Sequence, residues 1–150
     1  MMHNICVDDL DQLIIRRLER DGRIPMVQLG EAVGLSTSAA QRRVRALEAD
    51  GTIVGYRAEI DPVAADRGFV VFVTATLTST DRANVEAVEA SVAEIDEIVE
   101  CYRMFGEPDF LMRVEVRDVA AYEELWSTRL SAMRGAVRVA SQMTMKVVKR

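Results

Sequence analysis

Residues 26 to 50, MVQLGEAVGLSTSAAQRRVRALEAD, leave the backbone few choices. A short apolar-periodic run ends at Gly34, a residue able to take the left-handed conformation that a sharp turn demands, and Ser36 follows as a helix cap. Gly30 is small enough for a second helix to cross close over the first, so the segment reads as two short helices joined by a tight turn. On the second helix Ala40, Val44 and Leu47 share one face, Ser38, Arg42 and Arg45 point away from it, and Gln41 lies on its flank. From Ser36 through Leu47 there are three arginines and no acid. Arginine pairs with phosphates or with the major-groove edge of guanine, glutamine with adenine, and serine with bases or backbone. The expectation is a helix-turn-helix laid on double-stranded DNA, with Ser36, Thr37, Ser38, Gln41, Arg42, Arg43 and Arg45 as its contacts. A solvated face on an ordinary helix pair is the competing reading; the glycine, the cap and the arginines agree in register against it. Arg43 sits near the edge of the apolar face, where it serves either to anchor the fold or to touch a phosphate.

A formal charge of −5 over 150 residues excludes a generally basic coat. The first sixty residues are not basic either, with eight arginines against nine acids. DNA contact must therefore come from a local patch, helped by helix N-termini and by duplication in a dimer. An apolar fraction of 49% with three prolines describes a globular chain able to bury a core. Cys6 and Cys101 are far apart and only two, so the expected setting is a reducing cytoplasm without a disulfide framework. No apolar run is long enough to span a membrane, and the N-terminus carries aspartates where a signal peptide has a basic start.

From Asp8 to Asp21, Leu10, Leu13, Ile14 and Leu18 form one helical stripe, with aspartates in the first turn where the helix dipole favours them. With the helix-turn-helix this makes a three-helix unit whose core is thin and needs support. Gly51 stops the third helix; residues 52–60 (TIVGYRAEI) then switch to strand-like types, and Asp61-Pro62 breaks the run. The segment reads as a linking strand whose free edges call for pairing with a second chain. Domains are expected over 1–51, 52–66 (linking strand and hinge) and 67–150.

Phe69 to Thr78 is a strong strand, and Asp81 caps a helix bearing Val85, Val88, Val92 and Ile95. Two strands, Ile98 to Phe105 and Phe110 to Val116, flank a hairpin-like Gly106-Glu107-Pro108-Asp109 turn. Asp118 caps a helix carrying Tyr122, Leu125, Trp126, Leu130 and Met133, and Val137 to Val148 closes as the last strand. The whole is an α+β chain: a helix-turn-helix followed by a ferredoxin-like βαββαβ domain with both helices on one sheet face. In the first strand Val71, Val73, Ala75 and Leu77 alternate with Phe72, Thr74 and Thr76, and neither face carries a charge. Both faces should be covered, which implies sheet-to-sheet packing in a homodimer.

Taken together, Leu10-Asp11, Asp21-Gly22-Arg23-Ile24, Val33-Gly34-Leu35-Ser36, Arg42-Arg43-Val44 with Leu47-Glu48, residues 51–56, Asp61-Pro62 with Gly68, and a Gly106-x-x-Asp109-Phe110 turn are similar to the Lrp/AsnC (leucine-responsive and asparagine-type, feast/famine) transcription regulators. The likeness runs over nearly the whole chain and rests on the order and spacing of these motifs together. It implies a winged-type helix-turn-helix, a linking strand that pairs across the dimer, and a ferredoxin-like module that binds a small amino acid and builds higher oligomers, commonly an octamer of four dimers. It implies no cofactor. Carried over by position, it places the effector near Met104, Gly106, Glu107, Pro108, Asp109 and Phe110, with Ser141 and Gln142 from the final strand. Such a ligand needs donors for its carboxylate and an acceptor for its ammonium; the turn offers free N–H groups and Asp109, but Pro108 removes one N–H. Gly30 stands where the family commonly has alanine, expected to be a mild steric change, and Val139 stands where a hydroxyl residue is frequent.

Other chemistry finds no footing. His3 is the only histidine, no cysteine pair has zinc-ligand spacing, and no catalytic or metal set is visible. Glu86, Glu89, Glu123 and Glu124 read as solvated helix faces, and Met104, Met112, Met143 and Met145 most simply as core fillers, soft side chains that would also suit an adaptable pocket. The expected function is a sequence-specific transcription regulator responding to an amino acid. Two others compete: a ligand-independent architectural DNA-binding protein, and an amino-acid sensor or enzyme subunit whose helical domain docks protein.

Overall fold

The structure, a computed structural model, describes residues 7–148, so His3 and Cys6 lie outside the described residues. The chain divides between Glu59 and Ile60 into two compact units.

In the first unit, helix α1 (Asp9–Arg20) starts at a closed capping box. The Asp8 carboxylate accepts from Asp11 N–H at 2.8 Å, and the Asp11 carboxylate accepts from Asp8 N–H at 3.4 Å. Helix α2 (Met26–Val33) stops at Gly34, whose φ of 73° is left-handed, and α3 (Thr37–Ala49) starts at Ser36, whose hydroxyl accepts from Ala39 N–H at 3.3 Å. Ile14, Leu29, Val33, Val44 and Leu47 close the core, with Ile15, Leu18, Ile24, Met26, Leu35 and Ile53 packed around them. Gly30 is tighter than the sequence implies. A Cβ added there would lie 2.7 Å from the backbone oxygen of Leu35, so alanine is not a mild change on this backbone. The expected strand over 52–60 does not form: the stretch is irregular, because no described strand of this chain lies beside it to complete a ladder. It is still fastened to the end of α3, by Thr52 N–H on the Asp50 carboxylate (2.9 Å), by Ile53 N–H on the Leu47 carbonyl (2.8 Å) and by Tyr56, whose hydroxyl donates to Glu48 Oε1 (2.9 Å).

The second unit runs β1 (Phe69–Leu77), α4 (Arg82–Ala93), β2 (Ile98–Arg103), β3 (Phe110–Val116), α5 (Val119–Leu125, continued by a π-helical turn over Trp126–Leu130) and β4 (Ala136–Met143). The strands form one antiparallel sheet in the order β2-β3-β1-β4. Asp81 and Asp118 cap α4 and α5 through Asn84 N–H and Ala121 N–H. Val71, Val73, Ala75 and Leu77 of β1 and Phe110, Met112, Val114 and Val116 of β3 meet Val85, Val88, Tyr122, Leu125 and Leu130 in one core.

Strand ends are shorter than read from sequence. β2 stops at Arg103 and leaves Phe105 fully exposed, because Met104 N–H already closes the hairpin on the Asp109 carbonyl at 2.7 Å. β4 stops at Met143 instead of Val148: Val71 is its last β1 partner, and one further bond, from Thr144 N–H to the Val70 carbonyl, spends the remaining edge of β1. Of the methionines read as core fillers, only Met112 is buried; Met104, Met143 and Met145 are exposed.

Candidate nucleic-acid interface and effector turn

Because Ala40, Val44 and Leu47 turn α3 inward, the opposite side of the helix is free. Ser36, Thr37, Ser38, Gln41, Arg42 and Arg45 are exposed, and the Ser36 and Ser38 hydroxyls lie 3.2 Å apart at the helix start. Among the described residues, the side chains of Gln41, Arg42 and Arg45 make no hydrogen bond or ion pair within the chain. Two long cations and an amide on one exposed face, beside the free N–H groups of a helix N-terminus, can meet phosphates and base edges.

Arg43 differs. It is half-buried, and its Nη1 donates to Asp8 Oδ2 and Asp11 Oδ1, each at 2.7 Å. The Asp11 backbone N–H and then the Arg43 guanidinium hold the Asp8 carboxyl below its ordinary value, while the two carboxylates push Arg43 up. Of the two roles open to Arg43 in the sequence, the structure shows the anchor. Its partners lie 32 and 35 residues away, beyond any local pattern. Tyr56 at the other end of α3 is pushed up by partial burial and by Glu48.

In the second unit, Met104, Gly106, Glu107, Pro108 and Asp109 form the β2-β3 turn. Gly106 takes φ 123°, a conformation that side chains disfavour, and the Glu107–Pro108 peptide is cis. The Asp109 carboxylate is already at work: Oδ2 accepts from Leu77 N–H at 2.8 Å, fixing the end of β1. Phe110 is 1% exposed and belongs to the core. Glu107 reaches Arg138 of β4 at 3.5 Å, both well exposed.

Ser141 and Gln142 do not join this turn within one chain. Phe110 stands opposite Ala75 and hence level with Val139, so β1 separates the turn from β4 by roughly 10 Å. Ser141, level with Val73, turns to the helix side and bonds the Tyr122 hydroxyl; Gln142, level with Phe72, lies on the opposite face and is exposed. Burial pushes the Tyr122 phenol up, opposed by its Ser141 bond. A cleft of about 670 Å³ opens at the other end of the sheet, beside Arg67, Glu97, Glu115, Arg117 and Arg129, and contains none of the expected effector residues. Two of its cations are already engaged, Arg117 with the Asp118 carboxylate at 2.9 Å and Arg129 with the Glu94 carbonyl at 2.8 Å.

The open sheet face is not as neutral as β1 alone implies. Opposite Phe72 stands Arg113, ion-paired to Glu100 at 2.8 Å and to Glu115, and Tyr102 donates to Glu100 at 2.9 Å. Among the described residues no group of His, Cys, Asp and Glu is arranged to hold a metal ion, and no helix is long and apolar enough to cross a membrane.

Two family models match along the chain: the AsnC-type helix-turn-helix domain over residues 7–48 and the Lrp/AsnC ligand binding domain over residues 70–150. The chain is 34% identical over 142 residues to a proline dehydrogenase transcriptional activator of Rhodobacter capsulatus, covering 95% of this chain and 92% of that one. It is 36% identical over 143 residues to the leucine-responsive regulatory protein of Salmonella typhimurium, covering 95% and 87%. Among solved structures, an AsnC family transcriptional regulator from Agrobacterium tumefaciens superposes with a TM-score of 0.87 at 34% identity, covering 95% of this chain and 93% of that one. A transcriptional regulator of Neisseria meningitidis in complex with L-methionine gives 0.88 at 28% identity, covering 95% and 92%. A feast or famine regulatory protein from M. tuberculosis complexed with L-methionine gives 0.83 at 32% identity, covering 96% and 95%. With both halves matched in order and the relatives aligned over nearly their full length, the chain belongs to the Lrp/AsnC family of transcription regulators, proteins with a DNA-binding helix-turn-helix and a ligand-binding domain, not enzymes.

Proposed function

We propose that the chain is a sequence-specific DNA-binding regulator whose assembly or DNA affinity responds to a small amino acid bound in the second unit. The observation that carries the DNA half is the exposed α3 face, where Gln41, Arg42 and Arg45 have no side-chain partner among the described residues while the opposite stripe is buried. Ser36, Thr37 and Ser38 sit at the start of the same helix and complete the reading surface. A homodimer joined through the open sheet face and through the 52–60 segments sets two such helices in successive major grooves. The domains run over 1–51, 52–66 and 67–150, and dimers build further, to an octamer.

For the effector, support comes from the family's ligand-binding domain, from two relatives solved with L-methionine, and from a turn that presents Asp109 and backbone N–H groups. Ser141 and Gln142 lie too far from this turn to join it within one chain; a turn from a neighbouring copy closes the site. One observation favours the architectural alternative: the Asp109 carboxylate is held by Leu77 N–H, leaving one oxygen for an ammonium. A melting-temperature screen of the full chain against the amino acids, read with oligomer size, decides between them. Selective stabilisation by one or a few amino acids supports the effector; uniform melting with all of them, alongside intact DNA binding, supports the architectural protein.

A further inference from the structure

We infer that Arg43 serves DNA recognition from behind α3, as a positioning residue that locks the roll of the reading helix against the capped start of α1. The inference rests on the reading of α3 as the DNA helix and adds the device that aims it. A single guanidinium nitrogen bridges two carboxylates at 2.7 Å each, and these are the same carboxylates that close the α1 capping box. One cluster thus ties the first turn of α1 to the middle of α3. Its members are sheltered unequally, with side-chain exposures of 28% for Arg43, 15% for Asp11 and 48% for Asp8.

Such a tie has a task that the apolar core cannot perform. Ala40, Val44 and Leu47 offer α3 a narrow stripe of modest side chains, and apolar contact is non-directional, so a small roll of the helix costs little. A charge-assisted bond has a direction and a length. A roll of about 10° carries an arginine tip, roughly 8 Å from the helix axis, through about 1.4 Å, enough to lose a base-edge hydrogen bond. Arg42 and Arg45 flank Arg43 on the same helix, so fixing its position fixes theirs. As a phosphate partner Arg43 is badly placed, since two carboxylates already neutralise it.

The test uses the full-length protein, a short duplex selected from random-sequence DNA with the wild-type chain, and a scrambled duplex of the same composition, with affinity measured across a salt series. The variants are Asp8→Asn, Asp11→Asn, Arg43→Met and, as the control that touches DNA directly, Arg42→Ala. Asparagine caps a helix as well as aspartate does, so Asp8→Asn removes the charge partner and keeps the start of α1. The expected result is a loss of about fivefold for the selected duplex with Asp8→Asn, while the scrambled duplex holds or gains and the salt slope stays put. Arg43→Met should lower selectivity likewise, and combining it with Asp8→Asn should add nothing. Arg42→Ala should reduce the salt slope by about one, the change that accompanies removal of a single phosphate-neutralising cation.

The inference is overturned if Asp8→Asn and Asp11→Asn tighten binding to both duplexes, the behaviour of a phosphate-binding arginine set free. A slope reduction with Arg43→Met matching that of Arg42→Ala has the same meaning. Should Arg43→Met fail to fold, the Asp8→Asn arm decides alone. If Arg42→Ala and Arg45→Ala leave both affinity and slope untouched, the helix face itself is misassigned, an outcome separate from the fate of Arg43.

Discussion

Three arginines within four residues of α3 have unlike surroundings, and their spacing on the helix is the cause. Arg42 and Arg45 leave the helix on the side away from the centre of the Ala40–Val44–Leu47 stripe, whereas Arg43 leaves beside that stripe and meets Asp8 and Asp11. Arg42→Ala and Arg45→Ala should each weaken duplex binding while leaving oligomer size and melting temperature near wild type; affinity unchanged in both would remove this face from the interface. Gly30 supports a second prediction. Alanine there gains roughly 1 kcal/mol of helix propensity but must push the Leu35 carbonyl, 2.7 Å from the new Cβ, at an overpacking cost of about 2 kcal/mol. Gly30→Ala should therefore lower the melting temperature, and a variant that melts higher than wild type would show that the α2-α3 turn yields freely. Single residues were partly legible in the sequence. The solvated arginines followed from periodicity, but the second role of Asp109 did not, because the N–H it accepts, that of Leu77, lies 32 residues away on another strand.

At the scale of the element, the caps are the readable part. Asp8, Ser36, Asp81 and Asp118 each accept an N–H three residues on, and each helix start follows from that local chemistry. The carboxyls of Asp81 and Asp118 are held below the ordinary value of 3.8, Asp81 first by the Ser79 hydroxyl and Asp118 first by Ala121 N–H. A depressed acid stabilises the fold above its ordinary value and loses that contribution as pH falls through the lowered one. Acid melting of wild type should therefore steepen below pH 3.8, and Asp81→Asn with Asp118→Asn, which keep a cap without a titrating charge, should flatten it. A double variant with an unaltered acid limb would assign the acid sensitivity to other carboxylates. Strand ends were less legible, since a strand exists only where a neighbour completes its ladder. Residues 52–60 and 144–148 have strand-like composition, yet neither is a strand in the single chain.

For the whole molecule, the two units are each built from a separate core, and the order βαββαβ was visible because every strand and helix of the second unit has its own apolar period. What covers the open sheet face was only half visible. The uncharged alternation of β1 pointed to a buried surface, but the Glu100–Arg113–Glu115 cluster forms only once β2 and β3 are set in register beside it. If a second copy packs there, Phe72→Glu should set a third carboxylate beside Arg113, which Glu100 and Glu115 already engage, and so leave a surplus negative charge in the interface that shifts sedimentation toward the single chain with its secondary structure intact. Unchanged sedimentation would move the interface elsewhere. The proposed function turns on α3. Its most direct trial is the affinity of the Arg42→Ala/Arg45→Ala double variant for the selected duplex, measured at fixed salt on protein of wild-type oligomer size. A loss of about a hundredfold is the predicted result; affinity equal to wild type would contradict it.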